Sequence, residues 1–589
     1  VTVYYVERFA ARNARWWSDM RRSVRCRGSG EYANLTHLGV GATGMQSLYP
    51  LGCVSDERNA RAIGVPAGGV PSVTRIGYHA GSGLLYAAFD VALTPDNLHN
   101  SADGRGSAEV TVARWNASAE WGFRSALERY YAMYPAAFRR RAMKDGLWIP
   151  FTDPSTVQGL ADFGIAYHEG DDSVASDDRL GVLSFRYTEP MTWWMPMPSA
   201  TPRTYDAALA MVREHLTKGP LETRSLAQVV VNSASMDEHG RYNVEFQNAP
   251  WTNGAVWNLN PNPHLPCPQG EATKASLSFG ADVIKRLYGT GDRGTLDGEY
   301  LDSIEGWSDV LDYRPESLRH ATACPTFAAD SLRPVAPTWF SVWELASHMR
   351  RELLNRGKLL MANATPWRLH VFSGLLDVMG TETNWLPGGT WRPDSDEVFC
   401  LRRSLCYQKP YLLLQNTDFE RFGHAEVERY MKRCMAYGVF PSMFSADAST
   451  RNYWTQPQWY NRDRQLFKQY VPVVSRLSAA GWEPVTHART SDPMVYVERF
   501  GPGYLTLFNA APDRREVRVR VLPTAPARLA AAALLRDEIS GAAYRAEAPA
   551  AISHDAQRGG RVFRFEIGSE ECLVLRVADP TGVRSRTSN

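Results

Sequence analysis

The chain has 589 residues, enough for about two to four domains and a large core. Its 65 Lys and Arg against 63 Asp and Glu leave no basic excess to draw nucleic acid and no acidic solvating arm. No apolar run approaches the ~20 residues of a membrane span, and the 18 Trp and 26 Tyr supply flat faces for sugar rings as well as bulk for a core.

The start, "VTVYYVERF", has neither Met nor a signal-peptide pattern and reads as processed, truncated or recombinant. The first forty residues are weakly patterned. "SVTRIGYHA" and "GLLYAAFDVALTP" then read as strands around a Gly-Ser-Gly turn, and "AEVTVARWN" (108–116) as another. A β-sandwich over 1–115, short of its upstream strands, is expected. Over 116–145 the spacing turns helical, with Phe123, Leu127, Tyr130, Tyr131 and Tyr134 on one face, which predicts a linking helix.

From 146 to 492 strand-like runs alternate with helical stretches. Eight strands are expected at 146–151, 163–170, 182–190, 295–303, 358–365, 375–384, 410–416 and 439–445. Among the helices, "SVWELASHMRRELLNRGK" ends at a Gly357 cap and "AEVERYMKRCMAYG" ends at Gly438. Strand then helix, repeated, predicts a (β/α)8 barrel. Its third crossover is overlong. It carries a helix near 204–218 and an insertion at about 219–271, read as a hairpin ("AQVVVNS…RYNVEFQ") and an aromatic, Asn- and Pro-rich loop. From 493 to 589, runs such as "REVRVRVLP" (515–523) and "CLVLRVA" (572–578) alternate apolar with polar residues, predicting a C-terminal antiparallel β-sandwich.

Functional side chains of a barrel sit where strands end. Strand two ends in His168 and Glu169. Strand three ends in Arg186 and Glu189, followed by Trp193 and Trp194. Strand four ends in Glu299 and Asp302, strand five in Asn363. Strand six ends in Asp377, Glu382 and Asn384 before Trp385, and strand seven in Asn416 and Asp418. Carboxylates, amides and indoles around one mouth fit glycoside hydrolysis, in which one carboxyl group protonates the leaving oxygen and the other attacks the anomeric carbon or activates water.

"EYLDS" after strand four and "MGTETNW" after strand six resemble the α-galactosidase-like superfamily of retaining glycosidases, as does the order sandwich, linking helix, barrel, sandwich, which is also that of the endo-α-N-acetylgalactosaminidase type. Tyr300-Leu301-Asp302 stands where typical α-galactosidases carry Lys-Trp-Asp. The resemblance implies a retaining enzyme for an α-linked sugar, with Asp302 as nucleophile steered by Ser303 and Glu382 as acid/base, its pKa raised beside Trp385. His168, Glu169, Glu189, Trp193, Trp194, Glu299, Asn363, Trp385, Asn416 and Asp418 are the candidate substrate contacts. Strand alternation puts residues 297, 299 and 301 on one face and 298, 300 and 302 on the other. Glu299 and Asp297 therefore remain rivals for the nucleophile.

The expected partner is an oligosaccharide or glycoconjugate, with no cofactor, metal or nucleic acid, in a secreted or periplasmic setting; the sequence is silent on oligomeric state. A non-catalytic carbohydrate-binding barrel and a metal-dependent hydrolase are the alternatives. The second needs clustered His and carboxylate ligands; only His168, near Glu169, ends a strand, and no H-x-H occurs. Arg186 is read as an ion-pair member, and "DDSVASDD" (171–178) as a solvated loop without the spacing of a calcium loop. The eight Cys form no C-x-x-C pair; Cys400 and Cys406 are either bridged or buried.

Overall fold

The computed structural model describes residues 1–11, 13–94, 107–288, 295–547 and 559–578. They form two compact units: 1–138 with 169–179 and 183–381, and 139–168 with 180–182 and 382–589.

A central eight-stranded sheet has its strands in chain order. Strands one to eight are Leu147–Pro150, Ile165–Glu169, Leu183–Thr188, Gly298–Leu301, Leu359–Ala362, Val378–Thr383, Tyr411–Gln415 and Phe440–Met443. The first and last lie side by side, with the Trp148 amide donating to Ser442 Oγ at 2.9 Å. The sheet is thus a near-closed parallel barrel, and each of its strands falls within a segment expected from the sequence. Strands four and seven are buried along their whole length, as a sheet covered on both faces requires. Gly298 opens strand four because nothing larger fits: an added Cβ would stand 2.1 Å from the Leu359 carbonyl oxygen.

Helices do not follow every strand. Strands one and two are joined by short 3-10 turns, and strands five and six by a loop. Helices Thr338–Asn355, Asp396–Cys406, His424–Ala436 and Pro457–Ala480 follow strands four, six, seven and eight. Cys400 and Cys406 share one of them, and both are buried free thiols.

The third crossover holds a subdomain of its own. Helix Tyr205–Lys218 lies where expected. "AQVVVNS" is not a hairpin strand but the end of helix Leu221–Ser233, which starts after Pro220 and buries Ala227, Val229 and Val230. Three consecutive Val look β-like locally, but packing against the preceding helix overrides that preference. The hairpin is Val244–Ala249 with Thr252–Asn258, extended to three strands by Thr192–Pro196.

At the N-terminal end, Thr2–Arg8, Leu84–Asp90, Val73–His79 and Glu31–Ala33 form one antiparallel sheet. A second is built from Ala113–Ala117, Ala60–Gly64, Leu51–Ser55, Arg15–Trp17 and Ser23–Arg25. Trp16, Val54 and Ile63 of the second meet Ile76, Leu85 and Phe89 of the first in a single core. The weakly patterned first forty residues supply several short strands, and "AEVTVARWN" is strand only from Ala113. Helix Phe123–Met133 follows and buries Phe123, Leu127, Tyr130 and Tyr131, as its spacing predicts.

The C-terminal sheets hold six and three strands and include Trp482–Glu483 and Ala488–Thr490, ahead of residue 493. Val517, Val519 and Val521 alternate inward against Phe563, Phe565 and Ile567. No described helix is long and apolar enough to cross a membrane.

Candidate active site

The pleat of strand four sends the rival carboxylates to different surroundings. Strands three and four run in parallel register, Arg186 opposite Glu299 and Tyr187 opposite Tyr300. Glu299 is fully buried. Arg186 approaches its Oε2 at 2.7 Å, and the Tyr288 hydroxyl donates to Oε1 at 2.8 Å. Burial pushes the Glu299 carboxyl up, and Arg186 offsets part of that rise. Glu299 is therefore held in an internal ion pair, and Arg186 is its partner as expected. Asp297 precedes strand four and accepts from the Ser184 amide at 3.0 Å.

Asp302 lies on the opposite face, that of Tyr300. Its amide still donates to the Thr188 carbonyl at 2.9 Å, so it is the last residue on the ladder. Ser303 then takes φ 49°, a left-handed conformation rare for a side-chain-bearing residue, and turns the chain out of the sheet. Ala364, directly after Asn363, does the same with φ 56°.

Four donors meet on the half-buried Asp302 carboxylate. Tyr300 Oη (3.2 Å) and Asn363 Nδ2 (2.9 Å) reach Oδ1; Tyr187 Oη and Ser303 Oγ reach Oδ2, both at 3.1 Å. They come from three adjacent strands and fix the carboxylate in one orientation. The Tyr187 ring is 39% exposed, yet its hydroxyl sits in a crowd. Burial, then the carboxylates of Asp302, Glu189 and Glu169, hold that phenol far above its usual range, so it stays protonated and donating. Tyr187 was not singled out from the sequence; its register opposite Tyr300 is the signal that identifies it.

The loops after strands four and five are joined by a second buried carboxylate, Glu305. It accepts from the amides of Trp367 (3.2 Å), Arg368 (2.6 Å) and Leu369 (2.9 Å). Burial pushes its pKa up to about 7 against the pull of those amides. A carboxyl whose folded pKa lies above its unfolded value of 4.5 adds stability that is complete below pH 4.5 and lost as pH rises through about 7. The unfolding free energy from urea titration is expected to fall between pH 5 and pH 8 more in the unmodified protein than in Glu305→Gln, by roughly 3 kcal/mol at most. Parallel pH profiles would show that Glu305 is ionised throughout.

At the end of strand six, Glu382 is half-buried, and its Oε2 accepts a short hydrogen bond from Asn416 Nδ2 after strand seven. The Asn416 amide also donates to the Thr383 carbonyl at 2.7 Å, and its side-chain oxygen is buried with no protein partner among the described residues.

Of the other candidates, His168 and Glu169 are both buried at the end of strand two. Glu189 closes the turn after strand three, accepting from the amides of Met191 and Thr192 at 3.1 and 2.7 Å, with the buried Lys274 ammonium at 3.7 Å. Trp193 points into the core of the inserted subdomain, while Trp194, one residue on, stands half-exposed on the other face. Trp385 offers no stacking face. It is buried among Tyr430, Trp391 and Phe399, because its amide is anchored to Gln415 Oε1 at 3.1 Å beneath the loop. Asp418 is exposed and caps its own loop through the Glu420 amide at 3.0 Å. Asp377 is bound to Arg350 at 2.5 Å, and Asp177 of "DDSVASDD" accepts from Ser184 Oγ at 2.7 Å in a short helix, Val174–Leu180. Among the described residues no three His, Cys, Asp or Glu side chains gather as metal ligands.

No family model and no curated protein matches the sequence. Solved structures do match its fold. A GH31 family sulfoquinovosidase from E. rectale superposes with a TM-score of 0.51 at 10% identity, covering 98% of this chain and 83% of that one. This chain shares that protein's fold. A cycloalternan-degrading enzyme from Trueperella pyogenes matches with a TM-score of 0.49 at 11% identity, over 98% of this chain and 78% of that one. The α-N-acetylgalactosaminidase NagBb from Bifidobacterium bifidum gives 0.42 at 12% identity, over 86% and 81%.

Proposed function

We propose that the protein is a retaining glycoside hydrolase acting on an α-linked sugar, with Asp302 as nucleophile and Glu382 as general acid/base. The observation that carries this reading is the Asp302 carboxylate, exposed in part at the end of strand four and gripped by four neutral donors. The shared fold with a sulfoquinovosidase supports it.

In the first step an Asp302 oxygen bonds to the anomeric carbon as the glycosidic C–O bond breaks, and the Glu382 carboxyl gives its proton to the departing oxygen. In the second, Glu382 takes a proton from water, the water oxygen bonds to the anomeric carbon, and Asp302 is released. The donors around Asp302 orient it for attack and receive it again as a leaving group; the raised Tyr187 phenol keeps its proton throughout. Asn416 holds Glu382 through Oε2 and fixes the orientation of its carboxyl group.

Turnover of a panel of aryl α- and β-glycosides, with the first-formed anomer read by proton NMR, tests the reading. The expected product keeps the substrate's anomeric configuration. Glu382→Gln should slow hydrolysis of glycosides with poor leaving groups about 10²–10⁴-fold. It should slow formation of the glycosyl-enzyme far less when the leaving group is dinitrophenol, which needs no proton. Equal losses on both substrate types would remove Glu382 from the acid's role.

A further inference from the structure

The inserted sheet carries an aromatic surface that the chemistry at Asp302 does not use. Strand Thr192–Pro196 sends Trp193 and Met195 into a core shared with helices Tyr205–Lys218 and Leu221–Ser233. The pleat therefore puts Trp194 on the opposite face, in a cross-strand row with Val256 and Glu245. Trp307, five residues after Asp302 on the same loop, lies against this row. Its Nε1 donates to Glu245 Oε1 at 3.1 Å, and its ring is 6.4 Å from that of Trp194 at 75°. Trp251, at the hairpin turn, meets Trp194 edge-to-face at 5.3 Å and is 52% exposed.

A fourth indole, Trp367, is also 52% exposed. It sits on the strand-five loop that Glu305 and an Arg368–Ser308 hydrogen bond of 2.7 Å tie to the Trp307 loop. The Arg368 guanidinium lies 4.5 Å over its ring. Two exposed indoles beside two half-buried ones are the kind of surface that binding sites present. These rings are held by edge contacts, a hydrogen bond and a stacked cation, so their placement is paid for before any ligand arrives.

We infer that Trp194, Trp251, Trp307 and Trp367 form a sugar-binding strip, and that the substrate is an oligosaccharide with pyranose units extending past the bond cleaved. A pyranose ring offers a flat C–H face to an indole and hydroxyls at its edge, and two exposed carboxylates can accept them: Glu245, which holds Trp307 Nε1, and Asp309, 3.8 Å from the Arg368 guanidinium. Continuity with the Asp302 loop favours a glycan chain over a protein partner. The strip's place in catalysis rests on the glycosidase reading; binding does not.

The test is a glycan array of α-linked oligosaccharides of two to six units, followed by calorimetry with the best-bound series on the full chain. Affinity is expected to rise about tenfold or more from two to four units, as one or two added ring contacts allow. Trp251→Ala and Trp367→Ala should each remove most of that gain, and Trp251→Phe should restore most of it. Both side chains are exposed, and unchanged melting temperatures would confirm that the variants fold. Affinity independent of length, no glycan bound, or full gain in both alanine variants would overturn the strip. Length-dependent binding without hydrolysis of the bound chain would sink the glycosidase reading and leave the strip standing. Hydrolysis of short glycosides without length dependence would do the reverse.

Discussion

Asp302→Asn is expected to lower kcat on an aryl α-glycoside by about 10⁴-fold or more, with the protein still folded. An amide is isosteric with the carboxylate and keeps most of its hydrogen-bonding neighbours, but it cannot attack the anomeric carbon. Only one oxygen would then remain to accept, so Tyr187 and Ser303, or Tyr300 and Asn363, would face the new NH₂ group. A modest loss of stability should accompany the loss of activity. Asp302→Gly opens the space instead. With azide present it should form a glycosyl azide of inverted configuration, because the azide nitrogen attacks the anomeric carbon directly as the aglycone leaves. Near-normal turnover in Asp302→Asn would end the assignment. Glu299 could not inherit the role, since both its oxygens are bound inside the protein.

The second large effect concerns stability. Arg186→Met should destabilise the fold by about 3–5 kcal/mol, because it leaves the fully buried Glu299 carboxyl with one phenol as its remaining bonded partner. Burial already pushes Glu299 upward, and the loss of Arg186 should push it further. Arg186→Met should therefore be relatively more stable at acid pH than at pH 8, where the carboxyl must be charged or bind a proton at a cost. The double variant Arg186→Met, Glu299→Leu removes the orphaned charge and should recover much of the loss. Urea unfolding of the single and double variants measures both effects. A single variant within 1 kcal/mol of the unmodified protein would show that water reaches the pair.

The barrel was legible because its strands are short apolar runs that end in polar groups, a pattern that survives without any knowledge of partners. Local reading failed at "AQVVVNS", where three Val favour a strand and only packing against the neighbouring helix makes them helical. The cluster around Asp302 was legible only in part. Asp302 and Asn363 were both named, and the structure brings them together at 2.9 Å. Choosing between Glu299 and Asp302 required the pleat's phase, and Tyr187 emerged only from the register of strand three against strand four. Trp385 shows the opposite limit. Its place three residues after Glu382 made it a candidate substrate contact, yet the chain turns the indole into the core. Trp251 and Trp307 lie far apart in sequence and meet through Trp194, a convergence the chain order does not display.

One measurement bears most directly on the central claim. The protein would be incubated with an activated 2-deoxy-2-fluoro or 5-fluoro glycoside of the sugar it turns over, digested, and mapped by mass spectrometry. The account predicts a single glycosyl ester, carried by Asp302 in the peptide around "EYLDSIEGW" and absent from Asp302→Asn. An adduct on another carboxylate, or catalysis with inversion and no adduct, would contradict it.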